Sequence, residues 1–415
     1  MSSTRQHVVI VGASAAGVSA AFALRQTDFD GLITLVDRDG REPYERPPLS
    51  KTLLSAGTEL VRPIAPREKY AERGIHLALG RTVTALRPAT QQVVLDDGCA
   101  VDASQVLLAT GVEARRLPPG VVVGSASRHV FYLRDAADAE VLRQRLSEGG
   151  PLVIVGGGYV GLELAAEAAG IGIETTVVEA APVPLARTAG NEIGSLVQEL
   201  HESHGVRFCL NAMVSEITDE AGYATVSCDN GARLRASTVV IGIGVAVTPH
   251  LAADVGVKCS DGIVVNEFGQ TDNPWVWATG DIAVQPHPSL ERPGRIEHWD
   301  SAVRHGQAVG RSMAGVPTRF ESAPYAWSDQ YGLTIQSFGR MWPRDEFVLR
   351  ADARSDRFIG YSLRDGRVIG VTGLDMGRDV AAARQLIERR VTVTATDLAS
   401  PDLDVRGLVR RVAAR

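Results

Sequence analysis

Two glycine-rich turns are the parts of this 415-residue chain whose residue types and spacing best suit a chemical task. In the first, an apolar run over residues 8–11 stops at Gly12, four small residues follow, and Gly17 lies at the start of a helix-like segment. The first glycine permits a sharp turn out of a strand, and the second lets the helix pack closely on that strand. Such a turn directs free backbone N–H groups and the positive end of a helix dipole at one point. The spacing therefore predicts that residues 12–17 hold the pyrophosphate of a dinucleotide.

A serine and an acid complete the first turn. Ser14 replaces the middle glycine of the G-x-G-x-x-G pattern, and we expect it to be tolerated because it is small and can donate a hydrogen bond. Asp37 ends the next apolar run, 20 residues beyond Gly17, where a carboxylate accepts hydrogen bonds from a ribose. The predicted ligand contacts of this turn are Gly12, Ser14, Ala15, Ala16, Gly17 and Asp37.

Residues 151–179 repeat the pattern in full, with Glu179 at the end of the second strand. Either unit alone could be a buried strand–helix–strand unit that binds nothing, but two complete units predict two dinucleotides. The acid Glu179 should repel a 2′-phosphate, so we expect NADH over NADPH, although the nearby Arg187 could soften that preference. The predicted NAD contacts are Gly156, Gly158, Tyr159, Val160, Gly161, Glu163, Glu179, Arg187 and Gly244.

The elements that must position these residues are parallel strands and the helices between them, which is an α/β pattern. Hydrophobic residues make up 45% of the chain and charged residues 22%, as in ordinary globular proteins, and the net charge of −6 disfavours nucleic-acid binding. The apolar stretch 8–24 contains polar residues, and the stretch 152–173 carries Glu163 and Glu167, which are costly in lipid. The first strand begins too early to leave room for a signal peptide, so we expect a cytoplasmic protein without membrane contact.

The four cysteines are widely spaced. They are Cys99, Cys209, Cys228 and Cys259. None forms a C-x-x-C pair or lies near a glycine-rich turn, which disfavours structural disulfides, a zinc site and a redox-active disulfide beside a cofactor. No bound metal is expected.

A proline-stiffened run over residues 42–51 follows Asp37. Its prolines predict that it is neither a regular helix nor a central strand, and it is either a ligand-holding loop or a stiff surface turn. Its E-R-P-P-L-S-K portion, residues 45–51, resembles the FAD-dependent NADH:ferredoxin reductases that serve bacterial cytochrome P450s and Rieske-type oxygenases. The resemblance extends through residues 156–163, 278–281, 297–299 and 327–331, so it covers nearly the whole chain.

The resemblance implies a glutathione-reductase-like α/β fold with two Rossmann-like domains and a C-terminal α+β domain. The implied domains are 1–112 with 240–320 for FAD, 113–239 for NAD, and 321–415 at the C-terminus. It also implies one non-covalent FAD, NADH as donor, a [2Fe-2S] ferredoxin as acceptor, and a monomer or weak dimer. Further implied FAD contacts are Arg46, Pro47, Lys51, Val83, Ala109, Thr110, Gly111, Arg134, Gly280, Asp281 and Trp299.

Three of the predicted contact residues, Lys51, Glu163 and Trp299, are expected to take part in the chemistry. Lys51 is the candidate cation near flavin N5, where it would stabilise negative charge on the reduced ring, and Glu163 is its expected partner. Trp299 would lie against the flavin. The alternatives are surface positions for Lys51 and Glu163 and a packing role for Trp299; Arg134 is equally compatible with a surface arginine that opens a helix, and Asp281 with an N-cap.

Other functions of the same fold stay open. NADH oxidases, coenzyme A-disulfide reductases and disulfide reductases need a cysteine near the flavin, and Ser50–Lys51 occupies the loop where it would lie. A rubredoxin or quinone acceptor remains possible, as does an apoptosis-inducing-factor-like flavoprotein. An acidic ferredoxin would need a local basic patch on this protein, for which the candidates are Arg304, Arg311, Arg340 and Arg344.

The remaining pattern predicts mixed helix and loop over residues 52–80 and a buried strand over 106–111, and the resemblance implies that this strand closes against FAD. Asp281 is expected between a strand and a helix, and the basic residues 406–415 are expected to be exposed or frayed. Strands are also predicted at 83–86, 92–95, 206–210, 223–227, 239–244, 333–338, 346–349 and 367–372, with a helix at 379–389.

Overall fold

A computed structural model describes residues 6–55, 60–341, 345–351, 356–400 and 404–413. The chain forms two compact units, each assembled from three stretches. The first unit comprises Met1–Arg46, Val61–Glu113 and Ala246–Pro324, and the second comprises Pro47–Leu60, Ala114–Val245 and Tyr325–Arg415. Among the helices described, none combines the length and apolar character that a membrane span requires.

A five-stranded parallel sheet forms the centre of the first unit. Its strand order is Val276–Ala278, Gln105–Leu108, His7–Val11, Leu32–Asp37 and Ile75–Leu79. These strands are short and mostly apolar, because both faces of a parallel sheet are covered. Apolar clusters lie on its two faces.

Two helices of the first unit pack against each other through small residues. In Trp299–Met313, a Cβ added at Gly306 would clash with the carbonyl oxygen of Ala16, and one at Gly310 with that of Ala20. Because these contacts advance in the same direction along both helices, Trp299–Met313 runs parallel to Ala15–Gln26. The two helices therefore begin at the same end of the unit.

The other elements of the first unit are short. The antiparallel strands are Tyr44–Glu45 with Arg62–Pro63, then Val83–Arg87, Gln92–Leu95 and Ala100–Asp102, then Cys259–Ser260 and Gly262–Val264, the last also paired in parallel with Ala283–Val284. The helical segments are Arg67–Glu72, His250–Ala253 and the 3-10 turns Pro88–Thr90 and Gly280–Ile282.

The second unit contains a parallel sheet of the same kind. Its order is Val130–Tyr132, Thr238–Ile241, Leu152–Val155, Thr175–Glu179 and Arg207–Leu210. The antiparallel strands Val214–Glu220, Tyr223–Cys228 and Arg233–Ala236 follow in sequence. The helices are Pro48–Lys51, Ala136–Ser147, Tyr159–Gly170, Ala186–Ala189 and Asn191–Ser203, with a 3-10 segment at Gly124–His129.

The C-terminal part of the second unit is an antiparallel sheet with helices on it. The strand order is Tyr325–Gln330, Leu333–Gly339, Arg367–Leu374, Phe358–Arg364 and Glu346–Ala351. Its helices are Gly377–Glu388, Ala395–Ala399 and Val405–Ala413. The short strands Glu113–Ala114 and Val245–Ala246 lie where the chain passes from one unit to the other.

The predicted α/β class is confirmed, and five local predictions are wrong. Pro48–Lys51 is one helical turn, which is possible because proline at its first position needs no N–H partner. The stretch 52–80 includes the strand Ile75–Leu79. The strand predicted at 106–111 stops at Leu108, and that predicted at 239–244 stops at Ile241. Asp281 lies inside a 3-10 turn.

A further correction, beyond those five, concerns the C-terminus. Residues 405–413 form a helix whose Val405 and Val409 are buried in the apolar cluster of the C-terminal sheet. Valines four positions apart share one helix face, and Arg406 and Arg410 are exposed off that face. These two arginines are exposed as expected, but the segment is a packed helix and the expectation of a frayed tail is wrong for the described residues.

Candidate nucleotide-binding and active site

The first glycine-rich turn has the backbone geometry that its sequence requires. Gly12 has φ +108°, and its N–H donates to the carbonyl oxygen of Val36 at 2.8 Å. A Cβ there would clash with the carbonyl oxygen of Ala109, and a Cβ at Gly17 would clash with that of Gly12. Glycine is thus needed at both positions for the strand end and the helix start to approach each other.

Asp37 fixes the same turn through its carboxylate. The Ala13 N–H donates to Oδ2 at 2.6 Å, and the Asp39 N–H donates to Oδ1 at 2.9 Å. Each carboxylate oxygen can accept a second hydrogen bond. Asp37 is therefore held in place by the backbone while it keeps acceptor capacity for ribose hydroxyls.

The first unit has polar groups that suit an anionic, hydroxyl-rich ligand. Ser14 occupies the N-cap of Ala15–Gln26, and its side chain makes no capping hydrogen bond to the first-turn N–H groups. The buried Thr279 Oγ1, just beyond the strand Val276–Ala278, has no hydrogen-bond partner among the described residues. Donor groups of this kind, at the carboxyl ends of two strands of one parallel sheet, suit a dinucleotide such as FAD.

Two residues that the sequence analysis did not single out support the turn that carries Asp281. His305 is buried, and burial lowers its pKa to about 3, so its neutral ring accepts the Gly280 N–H at Nδ1 over 3.2 Å. Arg295 donates to the carbonyl oxygen of Asp281 at 3.3 Å. The turn is therefore held from two sides by residues that follow it in the chain.

The position of His305 in its helix is the sequence signal that could have revealed it. His305 shares one helix face with Ala302, three positions before it, and with Val309, four positions after it. A histidine on an otherwise apolar face is expected to be buried and to need a hydrogen-bond partner. The local sequence around Arg295 carries no comparable signal.

The second glycine-rich turn repeats the geometry of the first. Gly156 has φ +111° and donates its N–H to the carbonyl oxygen of Val178 at 2.8 Å. A Cβ at Gly161 would clash with the carbonyl oxygen of Gly156. The carboxylate of Glu179 accepts the Gly157 N–H at 2.6 Å and the Ala181 N–H at 2.8 Å. Glu179 therefore supports its turn as Asp37 supports the first one.

The middle glycine of the second turn leaves room for a ligand. A Cβ at Gly158 would meet no atom within 4 Å in the described part of the chain. Protein packing does not explain a glycine there, whereas a pyrophosphate approaching the backbone does. Val160 is 44% exposed beside it, and Arg187 is exposed near Glu179. Gly244 has φ +97° and follows the strand Thr238–Ile241.

The other predicted contacts occupy varied surroundings. Val83 is buried in the apolar core of the first unit, and Tyr159 packs in an apolar cluster of the second. Arg46 lies over the Tyr44 ring at 5.9 Å, and Arg134 donates its backbone N–H to Asp138. Ala109, Thr110 and Gly111 form the turn after Gln105–Leu108, and Pro47 precedes the helical turn Pro48–Lys51. Their contacts with a cofactor stay predictions.

Lys51 and Glu163 form a buried ion pair within the second unit. Lys51 Nζ lies 2.7 Å from Glu163 Oε1, and the two side chains are only 10% and 5% exposed. Lys51 Nζ also lies 3.3 Å from Asp329 Oδ2 and 3.4 Å from the carbonyl oxygen of Trp327. The predicted pair is therefore present, and its role in the chemistry remains a prediction.

Two successive turns of the helix Tyr159–Gly170 hold residues 50–55, which include Lys51, through hydrogen bonds. The Ser50 hydroxyl donates to Glu163 Oε2 beside the Lys51 pair. One turn later, Glu167 accepts the Leu54 N–H at 3.0 Å and the Ser55 N–H at 3.1 Å. Carboxylates at i and i+4 share one helix face, which is the sequence signal that would have revealed Glu167.

Trp299 begins the helix Trp299–Met313 and is partly buried against the cluster that contains Ala13, Ala15 and Ala16. It therefore lies near the first glycine-rich turn within the first unit. This position is compatible both with packing and with contact to a bound flavin.

Two parallel sheets, each with a glycine-rich turn closed by an acid, define an oxidoreductase fold with two dinucleotide sites. The chain belongs to the pyridine nucleotide-disulphide oxidoreductase family, whose model matches residues 6–306. Residues 325–409 match the reductase C-terminal family. The family resemblance predicted from the motifs is confirmed.

Named relatives cover almost the whole chain. It is 34% identical over 406 residues to rhodocoxin reductase of Rhodococcus erythropolis, covering 97% of this chain and 94% of that protein. It is 36% identical over 371 residues to rubredoxin-NAD(+) reductase of Pseudomonas putida, covering 89% and 96%. A solved covalent complex of putidaredoxin reductase with putidaredoxin matches with a TM-score of 0.93 and 32% identity over 99% of both chains.

Proposed function

We propose that this protein is an NADH-dependent FAD reductase that supplies electrons to a [2Fe-2S] ferredoxin of a cytochrome P450 or Rieske oxygenase system. The observation that carries the proposal is the presence of two complete dinucleotide turns in one chain, at Gly12 and Gly156. The similarity to rhodocoxin reductase and putidaredoxin reductase over nearly the full length supports the ferredoxin acceptor.

The two turns are assigned different dinucleotides. We assign FAD to the turn of Gly12, Gly17 and Asp37, with Asp281 contributing, and NADH to the turn of Gly156, Gly158 and Glu179. The proposed domains are 1–112 with 240–320 for FAD, 113–239 for NAD and 321–415 at the C-terminus. A cytoplasmic location is proposed because NADH is available there.

A nicotinamide gives up two electrons together as a hydride, whereas an iron–sulfur acceptor takes one electron at a time. Bound FAD would accept the pair and release single electrons. The protein supplies charge and orientation. We assign Lys51 the task of placing an ammonium beside the reduced ring, and Glu163 the task of fixing that ammonium. Trp299 is assigned to the boundary of the flavin site.

A rubredoxin acceptor is the second candidate, because the similarity to rubredoxin-NAD(+) reductase is of the same order. The acceptor is tested directly. Purified holoenzyme is given NADH and cytochrome c, with and without a [2Fe-2S] ferredoxin or a rubredoxin. We expect strong stimulation by the ferredoxin. Stimulation by rubredoxin alone would move the assignment to the second candidate, and stimulation by neither would contradict both.

Non-covalent FAD has its own test. No histidine or cysteine is expected to attach the flavin, so acid precipitation should release FAD into the supernatant. Chromatography of the supernatant against FAD and FMN standards makes the measurement. Flavin that stays in the pellet, or FMN in the supernatant, would contradict the assignment.

A further inference from the structure

A chain of buried polar side chains leads away from Glu163 within the second unit. The Ser328 hydroxyl donates to Glu163 Oε1 at 2.6 Å, and Gln330 Nε2 donates to Ser328 Oγ at 2.9 Å. His201 Nε2 lies 2.8 Å from Gln330 Oε1, and the Tyr331 hydroxyl lies 2.9 Å from His201 Nδ1. We call these four residues, Ser328, Gln330, His201 and Tyr331, the polar chain.

Burial makes the polar chain sensitive to its hydrogen-bond pattern. Ser328 and His201 are fully buried, and Gln330 is 2% exposed. A buried polar group without a partner costs about 1–3 kcal/mol, so each member must be satisfied by its neighbours. Burial lowers the pKa of His201 to about 4, and its ring is therefore neutral at pH 7, with one donor and one acceptor nitrogen.

An ionised Glu163 permits only one direction of donation. Ser328 must donate to the carboxylate, since the reverse arrangement would place two acceptor oxygens 2.6 Å apart. Ser328 then accepts from the Gln330 amide, whose oxygen accepts from His201 Nε2–H. His201 Nδ1 is left as an acceptor for the Tyr331 hydroxyl.

The backbone of Tyr331 places its hydroxyl at the end of the polar chain. Tyr331 has φ +54° in the hairpin turn between Gln330 and Leu333, a conformation that disfavours a large side chain. Its ring stacks on His204 with centroids 3.8 Å apart, and its hydroxyl reaches His201. The strained turn is what brings this hydroxyl to the end of the polar chain.

We propose that the polar chain is a positioning system that holds the side chain of Glu163 in place against Lys51. This inference rests on the proposed function, because the Lys51–Glu163 pair matters only if it acts beside the flavin. The members of the polar chain touch neither cofactor in this assignment and act through Glu163.

The first test is the tautomer of His201 in oxidised holoenzyme labelled with ¹⁵N-histidine. NMR at pH 7 should show a neutral ring protonated at Nε2, with the resonance assigned by its loss in His201→Gln. A ring protonated at Nδ1 would overturn the proposed direction. The measurement is made on the unaltered protein without turnover, so it stands even if the ferredoxin assignment fails.

The second test removes the hydroxyl that contacts Glu163. In Ser328→Ala, the limiting rate of flavin reduction at saturating NADH should fall about tenfold at pH 7, because Glu163 loses a hydrogen-bond donor that positions it. The apparent Kd for NADH and the FAD content should stay at the wild-type values, which a general loss of structure would change. Ser328→Thr should restore the rate.

Ser362→Ala is the matched control. Ser362 is a buried serine of the same sheet that also donates to a carboxylate, Asp345, at 3.3 Å. Its replacement should leave the limiting rate of flavin reduction unchanged. If Ser328→Ala reduces the flavin at the wild-type rate, or if Ser362→Ala slows reduction equally, the positioning role is overturned.

Discussion

At the scale of single residues, Lys51 is a fixed charge. Its Nζ has oxygen partners from Glu163, Asp329 and the Trp327 backbone, and it lies 5.6 Å from the centre of the Trp327 ring. Four contacts from three residues leave little rotational freedom to a side chain that is otherwise flexible. The protein's own groups therefore orient the ammonium.

Replacing that charge should affect chemistry more than cofactor retention. In Lys51→Met, we expect flavin reduction by NADH to slow at least about tenfold, because the charge acts on the reduced ring and Glu163 loses its cation. Stopped-flow absorbance at the flavin band measures the rate, and the FAD content is measured alongside. Lys69→Met, which removes an exposed lysine paired with Glu72, is the control. Normal reduction with normal FAD content would remove Lys51 from the proposed chemistry.

Nucleotide preference should depend on the charge of Glu179. The carboxylate also holds the turn through Gly157 and Ala181, so Glu179→Arg would remove two backbone contacts along with the repulsion. Glu179→Gln keeps an acceptor and removes the charge. We expect the ratio of kcat/KM for NADH to that for NADPH to fall about tenfold. The exposed Glu174→Gln is the control. Equal use of both nucleotides by wild type would contradict this role.

At the scale of elements, the helix Tyr159–Gly170 links the second glycine-rich turn to residues 50–55, which include Lys51. Its first turn belongs to the glycine-rich motif, its second carries Glu163 and its third carries Glu167. A displacement of this helix would therefore move Lys51 with it, because Glu163 is bonded to Ser50 and Lys51 and Glu167 to Leu54 and Ser55.

Two buried histidines should make the fold sensitive to acid. Burial lowers the pKa of His201 to about 4 and that of His305 to about 3, below the ordinary 6.5. The unfolded chain binds protons at a higher pH than the folded chain does, so the free energy of unfolding decreases as the pH falls from 6.5 towards these values. At pH 5 each histidine should lower the free energy of unfolding by about 2 kcal/mol.

Substitution separates this effect from general acid sensitivity. His201→Gln should show a smaller drop in thermal midpoint between pH 7 and pH 5 than wild type, as followed by circular dichroism. His250→Gln, at an exposed position, should behave as wild type. An unchanged drop in His201→Gln would show that His201 does not couple to unfolding.

Sequence predicted the glycine-rich turns and their acids because strand, turn and helix are local and each glycine has a steric reason. It also predicted the pair of Lys51 with Glu163, through the family motifs. It missed the contacts of His305, Gly306 and the polar chain, because most of them join residues more than 20 positions apart or depend on close helix packing. The helix pattern around His305 indicates burial but does not identify its partner. Single-residue roles at the cofactor sites stay predictions.

At the scale of the whole molecule, a net charge of −6 opposes an acidic ferredoxin, so docking needs a local excess of arginine. Arg304 pairs with Asp300 at 2.6 Å, which reduces its contribution. Arg311 is exposed on the same helix and bonds to Thr318 at 3.4 Å. Arg340 lies in the second unit, and Arg344 lies outside the described residues. Arg311 is therefore the residue to test.

Arg311→Glu should raise the KM for ferredoxin about threefold to tenfold and flatten its dependence on salt, while NADH–ferricyanide turnover stays constant. Steady-state assays at two ionic strengths measure both. Arg87→Glu, an exposed arginine on a strand of the same unit, is the control. Equal loss of both activities would indicate misfolding, and no change would place docking elsewhere.

The interleaving of the two units has a consequence for synthesis on the ribosome. The central sheet of the first unit needs Val276–Ala278 beside Gln105–Leu108, so its N-terminal strands emerge long before their last partner. During that interval the edge of Gln105–Leu108 is unpaired, and the second glycine-rich turn and its sheet are translated. We therefore expect nascent chains that end before residue 276 to bind chaperones and to resist folding of the first unit, whatever their nucleotide supply.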